Sequence, residues 1–398
     1  MRAALFREEF APGPTRISLS PHAGCLRIIE LAPLVSPIDE DREQIGGAQA
    51  MVADLARGLA ARGHDVTLAA AEGSRLTGVH IAPLGIDSTS LRPAALGVTA
   101  GERPDAANQA RAFAKVRAWL DEEDWPFEVV HAHAYDAPAF AALSAPPRPV
   151  IHSLHLPPYD AAVVRAARAA KDAVMVTVSE ANARAWRAEG VPVRRVVHNG
   201  VALERIQVGR QRGPRLLYAG RIAPEKGTHI AIALARRLGR PLLIVGGIYD
   251  QSYFDEMVGP QVTPLPGWRS GDDVQGIVWI GSRRREEVHA LMGSAAATVM
   301  PVLWDEPFGL VALESLAAGT PVVGFRRGGL AEIVDETCGA LVDPQDEHAL
   351  DQAVRHALRC SPEACRRRAE RFSLGAMLTG YEGVFAEVRI ASDSAGNS

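Results

Sequence analysis

Short apolar segments alternate with amphipathic helical segments in two successive runs, and this double recurrence is the feature that most restricts the fold. The first run of predicted strands is Leu26–Leu31, Asp65–Ala69, Phe127–His131, Val150–Ser153, Ala173–Val178 and Val193–His198. The second run is Arg215–Gly220, Pro241–Val245, Ile277–Ile280, Ala297–Met300, Thr320–Phe325 and Gly339–Val342. Strands that alternate with helices build parallel α/β sheets. Because 398 residues exceed one ordinary domain, the sequence predicts two α/β domains, each with its own core.

Domain boundaries follow from where the pattern begins, pauses and ends. We expect residues 1–25 to form a disordered extension, because the first convincing strand begins at Leu26. Residues 26–203 form the first predicted domain, and 204–214, which are polar and contain glycine and proline, form the predicted linker. Residues 215–375 form the second domain. Residues 376–398 are predicted to form a helix that packs back on the first domain, followed by a frayed tail.

Composition excludes several classes of protein. The net charge of −4 and the absence of a known binding motif argue against a nucleic-acid partner. No apolar run approaches the roughly 20 residues of a transmembrane helix, and the first residues lack the apolar core of a signal peptide. The four cysteines are scattered, so neither a disulfide framework nor a zinc site is expected, and a reducing cytoplasm fits.

Two loops that precede predicted helices could bind anions. Gly46 and Gly47 lie directly before a helix predicted over 48–62, where glycine permits close backbone approach and free amides favour anions. A flexible loop explains this pair equally well. The segment Gly220–Gly227 follows a strand, and its Arg221 and Lys226 would place two cations at the carboxyl end of the sheet. The alternative there is an ordinary basic surface turn.

The most informative segment is Glu306-Pro-Phe-Gly-Leu-Val-Ala-Leu-Glu314. Pro307 suits the first turn of a helix, which we expect to run to about Ala318. Free amides near Phe308, Gly309 and Leu310 would then face an anion such as a diphosphate. The two glutamates on either side could accept hydrogen bonds from sugar hydroxyls. A helix with one favourable N-terminal acid and one exposed glutamate is the alternative, but a glutamate between Leu313 and Leu316 otherwise has no evident purpose.

Two histidines, His131 and His133, alternate at a strand end and therefore share one face of the sheet. No third metal ligand is evident close to them in the sequence, so we expect no metal site. His133 is predicted to form hydrogen bonds in a cleft, and a structural histidine is the alternative.

Taken together, these residues resemble the retaining glycosyltransferases of family four, over roughly residues 26–388. The most specific element is the Glu306 to Glu314 motif with Ala318-Gly-Thr-Pro-Val-Val323, followed by Gly220–Gly227. Further matching segments are Gly46-Gly47 with Leu55, Arg62–Thr67, His131–His133, Val178–Glu180 and Asn199–Val201. The resemblance implies the GT-B fold, in which two Rossmann-like domains face each other across a cleft. The first would bind the acceptor and the second the nucleotide-sugar donor.

The resemblance also implies roles for individual residues. Arg221 and Lys226 would hold the donor diphosphate, Glu306 the donor-sugar hydroxyls and Glu314 the ribose. The backbone of Phe308–Leu310 would meet sugar and phosphate, Gly47 would let its loop close on the diphosphate, and His133 would lie near the transferred sugar. No metal or other cofactor is expected, because family members need none. The expected catalytic residues are therefore His133, Arg221, Lys226 and Glu306.

The predicted reaction moves a hexose-type sugar from a nucleoside diphosphate to a hydroxyl acceptor with retention. The base, the acceptor (small molecule, lipid or glycan) and the oligomeric state stay open. The acidic loop 32–45 matches no acceptor pattern that we can name. Alternatives are another GT-B enzyme, such as a nucleotide-sugar epimerase or a phosphorylase, and a catalytically silent sugar-binding homologue. A Rossmann oxidoreductase ranks low, because no G-x-G-x-x-G follows Leu26–Leu31 or Arg215–Gly220.

Overall fold

The computed structural model describes residues 24–39, 47–91, 106–122, 127–144, 148–269, 275–344 and 346–396. Residues 1–23 of the predicted extension, residues 40–45 of the acidic loop and Gly46 lie outside this set. The helices of the first half are α1 (Gly47–Ala61), α2 (Ala106–Glu122), α3 (Ala137–Ala142), α4 (Ala161–Ala169) and α5 (Glu180–Ala188). Its strands are β1 (Arg27–Leu31), β2 (Asp65–Ala69), β3 (His80–Ile81), β4 (Val129–Ala132), β5 (Val150–Leu154), β6 (Val174–Thr177) and β7 (Val193–Val196).

The second half repeats the alternation. Its strands are β8 (Leu216–Ala219), β9 (Leu242–Val245), β10 (Thr263–Pro264), β11 (Ile277–Trp279), β12 (Ala297–Met300), β13 (Val322–Phe325) and β14 (Gly339–Val342). Its helices are α6 (Thr228–Leu238), α7 (Gln251–Tyr253), α8 (Arg285–Ser294), α9 (Leu310–Ala317), α10 (Leu330–Ile333), α11 (Ala349–Ala357) and α12 (Pro362–Glu370). The long helix α13 (Leu374–Gly396) ends the described chain.

Each half contains one parallel sheet of seven strands. The order is β3-β2-β1-β4-β5-β6-β7 in the first and β10-β11-β9-β8-β12-β13-β14 in the second. Central strands such as β5 and β9 are buried along their whole length, which explains their continuous apolar character in the sequence. Helices cover both faces, so the predicted architecture of two Rossmann-like domains facing each other across a cleft is confirmed. None of the described helices is both long and apolar enough to cross a lipid bilayer.

The chain passes between the halves at two adjacent points. Val201 donates its amide to the carbonyl of Phe372 at 3.2 Å, and Leu374 donates to the carbonyl of Val201 at 2.8 Å. After the second crossing, α13 packs against α1, where Met377, Leu378 and Tyr381 join the core of the first half. Residues 204–214, predicted as the linker, follow the first crossing; Gly209 and Gly213 in this segment hydrogen-bond to Ala318 and Ser294 of the second half.

The helix predicted to begin at Pro307 begins instead at Leu310, so that prediction was wrong by three residues. Gly309 has a φ of +105°, a left-handed conformation that interrupts a helix and that favours glycine. Phe308 is buried and packs in the core of the second half. Glu306 and Pro307 therefore belong to a loop that leads into α9, rather than to its first turn.

Candidate active site

Lys226 and Glu306 meet at the carboxyl edge of the second sheet. Lys226 ends a 3₁₀ turn, Pro224–Lys226, that follows β8, and its Nζ lies 2.8 Å from Oε2 of Glu306. Trp304 donates its indole N–H to the same oxygen at 2.9 Å, and the Lys226 ammonium lies 4.6 Å from the centre of that indole ring. The side chains of Lys226 and Glu306 retain 17% and 13% exposure, so both are accessible to a ligand in the cleft.

Arg221, the other predicted phosphate ligand, lies on the same loop. Its guanidinium stacks over the ring of Tyr249 at 4.3 Å and approaches Glu225 at 3.7 Å. Tyr135 of the first half is close enough to interact electrostatically with both Arg221 and Tyr249. Arg221 therefore points into the space between the two halves, where a charged donor group would enter.

The start of α9 provides backbone donors beside these cations. Within the described residues, the amides of Phe308, Gly309 and Leu310 donate to no protein acceptor. Gly47, at the start of α1, lies against Leu310: a Cβ at Gly47 would be 3.0 Å from Cδ1 of that leucine. The structure thus brings two predicted ligand-binding segments, from opposite halves, into contact. The N-terminal ends of α1 and α9 both favour an anion at this place.

Glu314, the second glutamate of the motif, is buried on α9 and has a protein partner that sequence reasoning did not find. Arg285 donates from Nε to Oε1 of Glu314 at 2.7 Å, and Nε2 of His289 lies 3.4 Å from the same oxygen. Burial raises the pKa of Glu314, but Arg285 and His289 more than offset this and lower it to about 2. The glutamate is therefore ionised and able to accept hydrogen bonds. Its burial also has a structural explanation, which the sequence did not provide.

The histidines of the first half form a buried chain of hydrogen bonds around Glu30. His133 Nε2 lies 2.6 Å from Glu30 Oε2, and His131 Nδ1 lies 3.0 Å from the same oxygen. The second nitrogen of His133 lies 2.8 Å from Nε2 of His155, and that of His131 lies 2.8 Å from the hydroxyl of Ser153. Sequence reasoning missed Glu30, although a lone carboxylate inside an apolar strand requires a buried partner and was a usable signal.

Glu30, His131 and His133 are also close enough to one another to ligate one metal ion, and Glu30 is a possible third ligand that lies 101 residues from His131 and that the sequence analysis did not consider. Their mutual hydrogen bonds already satisfy these atoms. Burial raises the pKa of Glu30, but the two histidines lower it to about 2, and burial lowers the pKa of His133 to about 4. Near neutral pH, an ionised Glu30 and a neutral His133 form a complete hydrogen-bonded arrangement without an ion.

This arrangement fixes the tautomers along the chain. Since Glu30 can only accept, His133 carries its proton on Nε2, and its Nδ1 accepts from Nε2 of His155. Neutral His155 then presents an unprotonated Nδ1. His133 is fully buried, whereas His155 retains 7% exposure and lines a small cavity with Tyr135 and Tyr159. Within the described residues, the hydrogen-bond partners of His133 are Glu30 and His155, and none of its hydrogen bonds is to Lys226 or Glu306. In this hydrogen-bonded chain, His155 lines the cavity beside Tyr135.

Asp136 is a further buried carboxyl group of the first half. It lies three residues beyond His133, at the start of α3, and accepts a hydrogen bond from Nε2 of Gln109 at 3.0 Å. Burial raises the pKa of Asp136 to about 7, although the Gln109 hydrogen bond acts in the opposite direction. No cation compensates this carboxylate as Arg285 compensates Glu314, among the ion pairs of the described chain.

Comparison with known proteins identifies the family. The family described as Glycosyltransferase Family 4 matches residues 45–205, and that described as Glycosyl transferases group 1 matches residues 203–372. The chain is 30% identical over 375 residues to a glycogen synthase of Mycobacterium tuberculosis, covering 82% of this chain and 85% of that protein. The chain belongs to the group 1 glycosyltransferases of family four. It is therefore a glycosyltransferase, as the sequence motifs predicted.

Other relatives of this glycosyltransferase differ in their named substrates. It is 26% identical to a D-inositol 3-phosphate glycosyltransferase of Mycolicibacterium smegmatis, covering 91% of each chain. Among solved structures, Alr3699/HepE of Anabaena in complex with UDP and glucose superposes with a TM-score of 0.66 at 17% identity, covering 91% of this chain and 99% of that one. This structural likeness shows the fold shared by the two proteins.

Proposed function

We propose that this glycosyltransferase moves a hexose-type sugar from a nucleoside-diphosphate donor to a hydroxyl acceptor, with retention at the anomeric carbon and without a metal ion. The observation that carries the proposal is the contact between Lys226 and Glu306 beside the free amides that precede α9. Lys226, the cation that would bind the diphosphate, donates a hydrogen bond to Glu306, the carboxylate that would bind sugar hydroxyls. The complex of a structural relative, Alr3699/HepE, with UDP and glucose supports a donor of this chemistry.

In this proposal the ion pair between Lys226 and Glu306 opens when the donor binds. The Lys226 ammonium turns to the diphosphate, and Glu306 is released to accept hydrogen bonds from the sugar. Arg221 and the amides of Phe308–Leu310 add further positive charge where the leaving group develops its negative charge. Preorganised donors of this kind supply much of the catalysis in charge-separating reactions. Protein groups thus provide the charge stabilisation that a metal ion would otherwise supply.

The proposed reaction needs no nucleophile from the protein. The bond between the anomeric carbon and the diphosphate oxygen breaks, and the acceptor oxygen forms its bond to the same face of that carbon. The acceptor proton passes to the departing phosphate oxygen. Closure of the two halves would exclude water from this step. In this proposal the unprotonated Nδ1 of His155 would accept a hydrogen bond from a sugar or acceptor hydroxyl.

The test is a matrix of donors and acceptors. UDP-, GDP-, ADP- and TDP-glucose are each incubated with the protein and either glycogen or D-inositol 3-phosphate, because the named relatives differ in this respect. We expect one nucleotide to raise the melting temperature by binding the folded state, and its sugar to be transferred to an acceptor with an α-linkage. A β-linked product would refute retention. Conversion of the donor to an epimer without acceptor would refute transfer, and a chelator that abolishes activity would refute metal independence.

A further inference from the structure

Asp54 on α1 is a buried carboxylate of the first half that binds a residue of the second half. Its side chain is 4% exposed, and Nη1 of Arg285 lies 2.6 Å from its Oδ2. Arg57 of the same helix and Arg205, which lies just after the first crossing between the halves, approach Oδ1 at 3.6 and 4.0 Å. Asp54 on α1 thus pairs with cations from its own helix, from the segment after the first crossing and from the second half.

Arg285 contacts a carboxylate on each side of the cleft at the same time. While Nη1 binds Asp54, its Nε binds Glu314 on α9 at 2.7 Å. A guanidinium group is planar and rigid, so two hydrogen bonds from different edges of one group fix the relative positions of the two carboxylates. Moving the first half away would break the contact with Asp54 and leave Arg285 attached to Glu314 alone.

Electrostatics strengthens this connection. Burial lowers the pKa of Arg285, but Glu314 and Asp54 more than offset this effect and raise the pKa above its ordinary value. The Arg285 side chain retains 28% exposure, and within the described residues it pairs with both Asp54 and Glu314. Losing either carboxylate would leave a half-buried cation with one partner fewer, which costs more than loss of an exposed ion pair.

We propose that Arg285 is a positioning residue that couples occupation of the ribose site at Glu314 to the closed arrangement of the two halves through Asp54. The inference rests on the proposed donor function and on the role that the family resemblance implies for Glu314, which is binding of the donor ribose. Coupling between sites is reciprocal. If the closed arrangement holds Arg285 and Glu314 in place for the ribose, then a bound ribose must stabilise the contact with Asp54 by the same factor.

The experiment measures nucleotide binding and domain closure in the full chain. Binding of UDP, GDP, ADP and TDP, each alone, is measured by calorimetry for wild type, Asp54→Asn, Arg285→Gln and the double variant. Asp121→Asn is the matched control, since it removes an aspartate of the first half that pairs with Arg117 inside one helix. The radius of gyration of each protein is measured by small-angle X-ray scattering with and without nucleotide.

We expect Asp54→Asn to weaken nucleotide binding by about fivefold or more, the usual range for coupled sites, although Asp54 lies on the opposite half from Glu314. In the Arg285→Gln background the same change should add no further loss. Without nucleotide, Asp54→Asn should increase the radius of gyration, and Asp121→Asn should alter neither quantity. Arg285→Lys should bind nucleotide less tightly than wild type, because an ammonium lacks the two-edged geometry.

Two results would overturn the coupling. If Arg285→Gln weakens nucleotide binding while Asp54→Asn does not, Arg285 only supports Glu314 locally. If additive losses appear in the double variant, the two residues act independently. Failure of wild type to bind any of the four nucleotides would instead refute the proposed donor function. The scattering result would then still test whether Arg285 holds the two halves together. A larger radius of gyration for Asp54→Asn than for wild type supports this role, and an unchanged radius overturns it.

Discussion

Glu30 and Glu306 are carboxylates near the carboxyl edges of the two sheets, and both bind a basic side chain, but they differ in access. Glu30 is fully buried, and its partners are His131 and His133 of the same half. Glu306 retains 13% exposure and pairs with a lysine and an indole, both of which could bind a ligand instead. We therefore expect the Glu30 cluster to stabilise the first half, and the Lys226–Glu306 pair to exchange partners in the proposed reaction.

Glu30→Gln should produce the largest effect and tests the structural side of this comparison. The change removes the carboxylate that accepts hydrogen bonds from the buried histidines and places an amide N–H₂ group against their donors. Leaving a buried hydrogen-bond donor without its acceptor costs about 1 to 3 kcal/mol of unfolding free energy, and more where the lost acceptor was charged. Urea unfolding at pH 7 measures the loss. The exposed Glu72→Gln is the control and should be nearly neutral. A loss below about 1 kcal/mol would show that the cluster does not stabilise the fold.

Lys226→Ala should have the next largest effect and should act on turnover rather than on stability. The ammonium is partly exposed, and its contact with Glu306 is one that a donor would replace. Removing one preorganised charge from a transition state lowers kcat by roughly 100-fold or more. Initial rates of nucleotide release with the active donor measure this, and the exposed Lys171→Ala serves as control. Near-normal turnover in Lys226→Ala would remove Lys226 from the diphosphate site and reduce the contrast between the two clusters.

The strands and the loops between strands and helices could be predicted from the sequence. Six strands of each sheet were predictable from short apolar runs, which the burial of strands such as β5 and β9 explains. The seventh strand of each sheet, β3 and β10, was missed, because each is an edge strand of two residues that are not buried. Lys226 and Glu306 were predictable because each lies in a short loop between a strand and a helix, whose position in such folds is fixed by topology. Their direct contact adds a detail that the motifs do not contain.

Contacts between distant segments were not predictable. Arg285 lies in a run of three arginines that reads as a solvated helix start, and its partner Asp54 is 231 residues away. His155 and His133 face each other only because β4 and β5 are neighbours in the sheet. The start of α9 was misplaced for a local reason: the sequence shows a proline suited to a first turn, but not that Gly309 adopts a left-handed conformation. Pairing of side chains requires the three-dimensional register, which a single sequence does not reveal.

Asp136→Asn should have the smallest effect of the three, and its dependence on pH distinguishes an uncompensated carboxyl group from the compensated Glu30. Burial raises the pKa of Asp136 to about 7, well above its value in an unfolded chain of roughly 4. Its contribution to stability is therefore fully present below pH 4 and is lost as pH rises through 7. The sign is opposite for Glu30, whose pKa of about 2 places the loss in acid.

The expected result for Asp136→Asn is a change in how the unfolding free energy depends on pH, compared with wild type. Between pH 5 and pH 8, wild type should lose about 2 to 3 kcal/mol of unfolding free energy through this group, at 1.36 kcal/mol per pKa unit. An amide keeps the shape and the Gln109 hydrogen bond but cannot ionise. The stability of the variant relative to wild type should therefore be about 2 to 3 kcal/mol greater at pH 8 than at pH 5, as measured by urea unfolding at both values. The buried histidines contribute equally to both proteins and cancel. If the two proteins respond identically to pH, Asp136 is ionised in the folded state and has a compensating partner after all, and the distinction from Glu30 would disappear.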